Sequence, residues 1–316
     1  MILLDYHNVV IEETLTQPIV NLEPTTLDMT VVDFDGVSYH LSTPVSKSVI
    51  KFSLVMQCYK ELVKWGAQDM LQREYGPYYI PKEEGYDVTL EFDLQKLPED
   101  KEQREELVKK LALIKRNLMA QPFERAFEQQ AKFEKEEQAN PTPDLMPIHY
   151  RDQEAIYIQA QLDRVTVIFS TLFKEETDRI FGKLFLQEFV DARRLPALQN
   201  APQVLYSSKE PPLEVRHLSE FKNLSENEDI SYVTFVLFPR HFVKGDVREK
   251  TISQIQLFRD YLHYHIKCSK AYMHSRMRAR VQAFLKVLNR AKPEVPNVEK
   301  KTITLVTLYL VVFEYL

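Results

Sequence analysis

Asp33 and Asp35 are the residues best placed by type to do chemistry. They stand two apart at the end of the apolar run Thr30-Val31-Val32, and Gly36 follows them. In such a pair one carboxylate can attack a phosphoryl group while the other moves the leaving-group proton, with magnesium held between them. That reaction also needs a lysine to screen the aspartyl-phosphate and a second acidic site for the metal, each at the end of a parallel strand. Lys244-Gly245-Asp246 is the only partial match, and no second acidic pair follows it.

The enzymatic alternative is thus a haloacid-dehalogenase-like, magnesium-dependent phosphotransferase using Asp33 and Asp35. A hairpin accounts for the same residues with fewer requirements. The segment Met29–Leu41 has two alternating arms around Asp35-Gly36, and Asp-Gly tolerates the positive φ of a tight turn. Other chemistries find less. The histidines, His7, His40, His149, His217, His241, His263, His265 and His274, form no His-Glu-x-x-His and no zinc-spaced cluster. His263 and His265 are two apart and diverge on a helix. Cys58 and Cys268 make no Cys-x-x-Cys and no disulfide framework, which fits a reducing compartment. The glycines number 6 and are never clustered, so dinucleotide loops, Walker loops and the nucleophile elbow are excluded. No catalytic residue, metal or cofactor is expected from these patterns.

Charge points to binding. The chain carries a net −5, which excludes a general nucleic-acid binder. The charge is uneven, however. Asp5, Glu12, Glu13, Glu23, Asp28, Asp33 and Asp35 precede the first basic residue, Lys47. Arg276, Arg278, Arg280, Lys286, Arg290 and Lys292 lie near the other end with almost no acid among them. A merely solvated helix mixes signs, so this basic end points to an acidic partner. RNA and anionic lipid are the other candidate ligands, although the ring-stacking pattern of single-strand binders is missing.

The elements that would position these residues follow from periodicity. Met1–Leu15 reads as strand, as do Met29–Leu41, Ser48–Met56 and Tyr86–Leu94; Gln57–Tyr75 reads as helix. A long charge-laced helix is expected over Lys101–Gln138, broken or kinked at Pro122. Asn140–Pro147, with three prolines, reads as a linker. Strands are then expected at Ala155–Ala160, Asp163–Phe173, Ile180–Phe189, Gln203–Ser207 and Ile230–Phe238. Thr251–Ala291 has neither Gly nor Pro and carries apolar residues at Ile255, Phe258, Leu262, Ile266, Met273, Met277, Phe284 and Leu288. It reads as one amphipathic helix about 60 Å long, too long for its own domain to cover. The expected class is α+β: two tandem, similarly built α/β domains with mostly antiparallel sheets, 1–140 and 141–316, and a long C-terminal helix over about 251–291. No secretory leader is expected, and Leu305–Leu316, interrupted by Glu314, is too short to span a membrane.

Longer strings carry a resemblance. They include Asp33-Phe-Asp-Gly-Val37, Ile148-His-Tyr-Arg-Asp152, Asp163-Arg-Val-Thr-Val167, Ala201-Pro-Gln-Val-Leu205 and Glu210-Pro-Pro-Leu-Glu214. Thr234-Phe-Val-Leu-Phe-Pro-Arg-His241, the run from Phe258 to Tyr272, Arg276-Met-Arg-Ala279 and the run from Phe284 to Ala291 extend the set. Together the chain resembles the subunit 2 family of the actin-related protein 2/3 complex, from Met1 to about Thr304.

The resemblance implies a non-catalytic, cytoplasmic subunit of the actin cytoskeleton, as in cortical actin patches. It implies a helix packed on the complex's subunit 4 and a core that binds the side of an existing filament to support branch nucleation. Arg276, Arg278, Arg280, Lys286, Arg290 and Lys292 become filament-contact candidates. Ile255, Phe258, Leu262, Ile266, Met273 and Phe284 become subunit-contact or core candidates, and their spacing does not divide them between this chain's own core and a partner. One departure stands out: the family usually closes on a short polar tail, whereas this sequence has the apolar Leu305–Leu316. An altered gene end or a strand tucked into a neighbour would account for it.

Overall fold

The computed structural model describes residues 4–136, 144–218 and 230–291. Two five-stranded sheets, antiparallel throughout, lie within one compact unit, Met1–Lys267; Cys268–Leu316 is a second. The first sheet comprises β1 Asp28–Val32, β2 Ser38–Ser42, β3 Val49–Val55, β4 Tyr79–Ile80 and β5 Val88–Asp93, in the order β1-β2-β3-β5-β4. The second comprises β6 Leu145–Arg151, β7 Glu154–Ala160, β8 Val165–Leu172, β9 Gln203–Ser208 and β10 Ile230–Leu237, ordered β6-β7-β8-β10-β9. Each is a meander of three strands whose fifth strand enters between the third and the fourth.

The helices repeat the scheme. Between the third and fourth strands lie α2 Tyr59–Lys64 and α3 Ala67–Tyr75 in the first half, and α6 Glu176–Ala192 in the second. After each sheet comes a pair broken at a single leucine. α4 Lys101–Ala112 and α5 Ile114–Glu136 meet at Leu113; α7 Asp246–Gln256 and α8 Phe258–Arg290 meet at Leu257. Strand alternation sets the core: Ile50, Phe52 and Leu54 on β3 and Val88, Leu90 and Phe92 on β5 are all fully buried. One apolar cluster then runs from Ile11 to Ile266 and takes residues of both sheets, including Phe52, Phe127, Phe169 and Phe235.

Several sequence expectations need correction. The segment read as strand at Met1–Leu15 contains helix α1, Val9–Leu15. Asn8 caps it, its Oδ1 accepting from Ile11 N, and Ile11 and Leu15 are buried one turn apart. Ile180–Phe189 lies inside α6; Phe181, Phe185 and Phe189 recur every fourth residue, and the apolar Ile180 and Leu184, each one residue ahead of a phenylalanine, are exposed, which disguised the period. The helix expected over Lys101–Gln138 breaks at Leu113. Pro122 sits, buried, inside the continuous α5. Gln57–Tyr75 is split at Gly66, whose φ of 106° ends α2. The linker ends early: Pro147 belongs to β6, opposite Tyr157. It is tolerated because β6 is an edge strand, where a missing N–H can face away from the ladder. Residues 140–143, Lys292 and the apolar Leu305–Leu316 lie outside the described residues, as does the expected boundary at 140.

The long rod over Thr251–Ala291 is likewise interrupted. α7 begins earlier, at Asp246, and Leu257 separates it from α8, whose 33 residues make a helix about 50 Å long. Among the described residues, no helix is long and apolar enough to cross a membrane.

Candidate functional site

The aspartate pair lies in the connection between β1 and β2, as the hairpin reading requires. Asp35 and Gly36 both adopt the left-handed conformation, at φ 65° and 67°. Asp33 Oδ1 accepts from Phe34 N at 2.6 Å, and its other carboxylate oxygen accepts from Asn8 Nδ2. Asp35 Oδ1 receives both Nε and Nη2 of Arg151, each at 3.0 Å. Lys115 Nζ stands 3.3 Å from Asp35 Oδ2 and 3.8 Å from Asp33 Oδ1. The phosphotransferase alternative finds no support: its parallel strands are absent from both described sheets, and cations of the chain itself engage both carboxylates.

The cluster extends across the unit. Arg259, two residues past the Leu257 break, sits 2.8 Å from Glu154 at the start of β7. Lys115, two residues past the Leu113 break, grips the corresponding hairpin of the first sheet. The two halves thus use the same device, and Arg151 crosses from the second hairpin to the first. Asp260 lies in the same cluster. Burial, reinforced by the charge of Asp35, lifts its carboxyl to about 6. Burial and the cations of Arg259 and Arg151 press the His263 imidazole down to about 4. Around this centre, Glu61 Oε1 lies 2.6 Å from His149 Nδ1, and Arg116 reaches Ser253 Oγ at 3.0 Å. Burial opposes ionisation of Glu61, but its hydrogen bonds with His149 outweigh that and hold it below the usual carboxylate range. Burial pushes the Cys58 thiol up to about 12, so it packs as a small apolar residue. The charge cluster is a joint. Sequence reasoning missed Lys115, Glu154, Arg259 and Asp260 as members because no local pattern unites them.

The second surface is α8. Ile255 on α7, together with Phe258, Leu262 and Ile266 on α8, is buried in this chain's own core. Met273 and Phe284 are exposed, at 44% and 63%, and so are Met277, Val281 and Leu288 of the same stripe. The sequence candidates therefore divide between core and surface. Every residue from Ala271 to Ala291 is exposed, Arg276, Arg278, Arg280, Lys286 and Arg290 included. Arg276 and Arg280 are one turn apart and share an edge with Tyr272. The Arg276 guanidinium lies 5.5 Å from that ring and donates to its hydroxyl at 2.7 Å. Arg278 and Lys286 stand on other faces. From Cys268 to Ala291 there is no acidic residue. Among the described residues, no group of three or more His, Cys, Asp or Glu side chains is arranged to hold a metal ion.

An internal charge joint and an exposed helix carrying both an apolar stripe and an acid-free cationic surface define a structural protein that works by presenting surfaces. The chain belongs to the family described as Arp2/3 complex, 34 kD subunit p34-Arc, whose model matches residues 52–295. A Schizosaccharomyces pombe protein, actin-related protein 2/3 complex subunit 2, is 50% identical over 315 residues, covering 96% of this chain and 98% of that protein. Its namesake from Dictyostelium discoideum is 42% identical over 274 residues, 86% of this chain and 87% of its own. The family is structural, not enzymatic.

Proposed function

We propose that this chain is a non-catalytic core subunit of an actin-related protein 2/3 complex in the cytoplasmic actin cytoskeleton, including cortical actin patches. In this reading it contacts the side of an existing filament through Arg276, Arg278, Arg280, Lys286, Arg290 and Lys292. It packs against the complex's subunit 4 through Met273, Phe284 and the apolar residues between them, and so supports nucleation of a branch. The chain's organisation as two similarly built domains, 1–140 and 141–316, belongs to the same proposal and draws on the shared strand order of the two sheets.

The supporting observation is the exposed part of α8, where an apolar stripe and a cationic surface free of acid share one helix. The stripe suits a permanent partner, and the charge suits an acidic polymer. The test uses the purified complex carrying Arg276→Glu, Arg278→Glu and Lys286→Glu together. Filament co-sedimentation should weaken at least about tenfold while subunit composition stays the same. Unchanged co-sedimentation would overturn the filament assignment. Native purification that returned this chain without actin-related proteins would overturn the whole reading.

A further inference from the structure

We propose that the cavity beside the tip of the β1–β2 hairpin is a docking site for a basic peptide segment that inserts one aromatic or branched aliphatic side chain. The cavity has a volume of about 220 Å³. Drug-sized ligands need roughly 300–1,000 Å³, so this one suits a single large side chain. Its mouth carries Tyr6, Val9, Val10 and Phe34, which are 40%, 48%, 47% and 58% exposed, and Met119 and Leu257 complete the apolar lining. Isolated exposed apolar residues need no explanation, but four converging on one cavity mark a contact surface.

Phe34 is held in its exposed position. Asp33 Oδ1 accepts its N–H, Lys115 Nζ donates to its carbonyl at 2.9 Å, and the same ammonium lies 6.0 Å from its ring. Left-handed Asp35 and Gly36 fix the turn that follows. An anchor already locked in place loses little freedom on binding, which favours a short partner segment.

The sign of the partner follows from charge. Asp5, Asp33, Asp35 and Asp260 border the cavity against only Lys115 and Arg116. Lys115 meets Asp33 and Asp35, Arg151 also meets Asp35, Arg259 meets Asp260 and Glu249 meets Arg116, so these charges are balanced within the chain, and the acid left at the mouth is Asp5, with Glu12 and Glu13 on the adjoining α1. The first 46 residues, which supply Tyr6 through Phe34, contain no lysine or arginine at all. The field at this mouth is therefore negative, and lysine or arginine flanking the inserted side chain complements it.

The probe is a fluorescein-labelled twelve-residue peptide with a central Leu-Phe flanked by Lys and Arg, titrated by anisotropy against the purified complex. Its controls carry Glu for every basic residue, or Ser for Leu and Phe. Binding of the basic peptide should weaken about tenfold in Phe34→Ser, in Asp5→Lys and with either control peptide. Both substituted residues are exposed, so subunit composition should be unchanged. Equal binding of the acidic control, indifference to both variants, or no binding to the complex would overturn the proposal. So would binding seen only after residues 1–3 are removed, which would make the chain's own N-terminus the occupant. Loss of binding at high complex concentration would point to a second copy and overturn it too.

Discussion

Arg151, in the first hairpin of the second sheet, sets both Nε and Nη2 at 3.0 Å from Oδ1 of Asp35, in the first hairpin of the first sheet. The Asp35 side chain is almost covered and Arg151 is about two-thirds covered, so the pair is screened less than a surface bridge. Removing Asp35 takes the nearer counter-charge from two cations at once. Asp35→Asn should cost about 2–3 kcal/mol, because Arg151 is left with Glu154 at 3.7 Å and Lys115 with Asp33 at 3.8 Å. Arg151→Ala should cost less, since Lys115 still holds Asp35. Denaturant midpoints of the two single variants and the double variant give the coupling. A coupling near zero would mean that the bidentate contact contributes nothing to the joint.

Asp260 and His263 pull stability in opposite directions as pH changes. Asp260 is lifted from 3.8 to about 6 by burial and by Asp35. Between those values the folded chain keeps a proton that the unfolded chain has lost, so this contribution falls as pH rises from about 4 to 6. His263 is lowered from 6.5 to about 4 by burial and by Arg259 and Arg151. There the unfolded chain holds the proton that the folded chain refuses, so this contribution rises with pH over about 4 to 6.5. The wild-type profile should be nearly flat in this window as far as these two groups are concerned. Relative to wild type, Asp260→Asn should gain on the order of 3 kcal/mol between pH 4 and pH 7. His263→Gln should lose on the order of 2 kcal/mol over the same range, the smaller figure reflecting its partial exposure. Stability curves for either variant that run parallel to wild type would refute its assignment.

The sheets were legible in the sequence and the joint was not, and the reason is sequence distance. Ile50-Lys51-Phe52-Ser53-Leu54 and Val88-Thr89-Leu90-Glu91-Phe92 alternate, so a local window reveals strand, face and antiparallel habit together. α1 was hidden by the β-branched Val9-Val10, which favour strand until the Asn8 cap and the burial of Ile11 and Leu15 override them. The exposed stripe of α8 was legible as a stripe, but only packing could tell Leu262 from Phe284. Asp35 and Arg151 are 116 residues apart, and Glu154 and Arg259 are 105. No spacing rule reaches that far. The lure at Asp33 and Asp35 arose because carboxylates at a strand end look alike whether they face a metal or a neighbouring arginine.

Gly182 tests the packing of α6. A Cβ built there would lie 2.6 Å from Cζ of Phe173 and 2.9 Å from Cε1. Glycine inside a helix ordinarily yields about 1 kcal/mol on replacement by alanine. Here the ring is buried and faces His263 at 5.7 Å between centroids, so it has little room to retreat. Overpacking should win, and Gly182→Ala should destabilise by about 1–3 kcal/mol. Adding Phe173→Leu should recover part of that loss. A more stable Gly182→Ala variant would show that the ring moves freely.

Leu262 and Phe284 occupy the same helix, and the sequence places them on one stripe, yet they should fail differently. Leu262 is fully buried, whereas Phe284 is 63% exposed. Leu262→Asp puts a carboxylate into the apolar cluster, at a cost of several kcal/mol. The body should then become sensitive to protease, and the complex should be lost as a consequence. Phe284→Asp removes no internal packing, so the body's own stability should change by less than about 0.5 kcal/mol. If the stripe meets a partner subunit, the same change should still cost at least about tenfold in assembly, because an apolar anchor is replaced by a desolvated charge. The decisive comparison is therefore protease resistance against recovery of the complex. Phe284→Asp should keep the first and lose the second. A body that melts with Phe284→Asp as it does with Leu262→Asp would make the stripe part of this chain's own fold. A complex indifferent to Phe284→Asp would remove that residue from the proposed subunit contact.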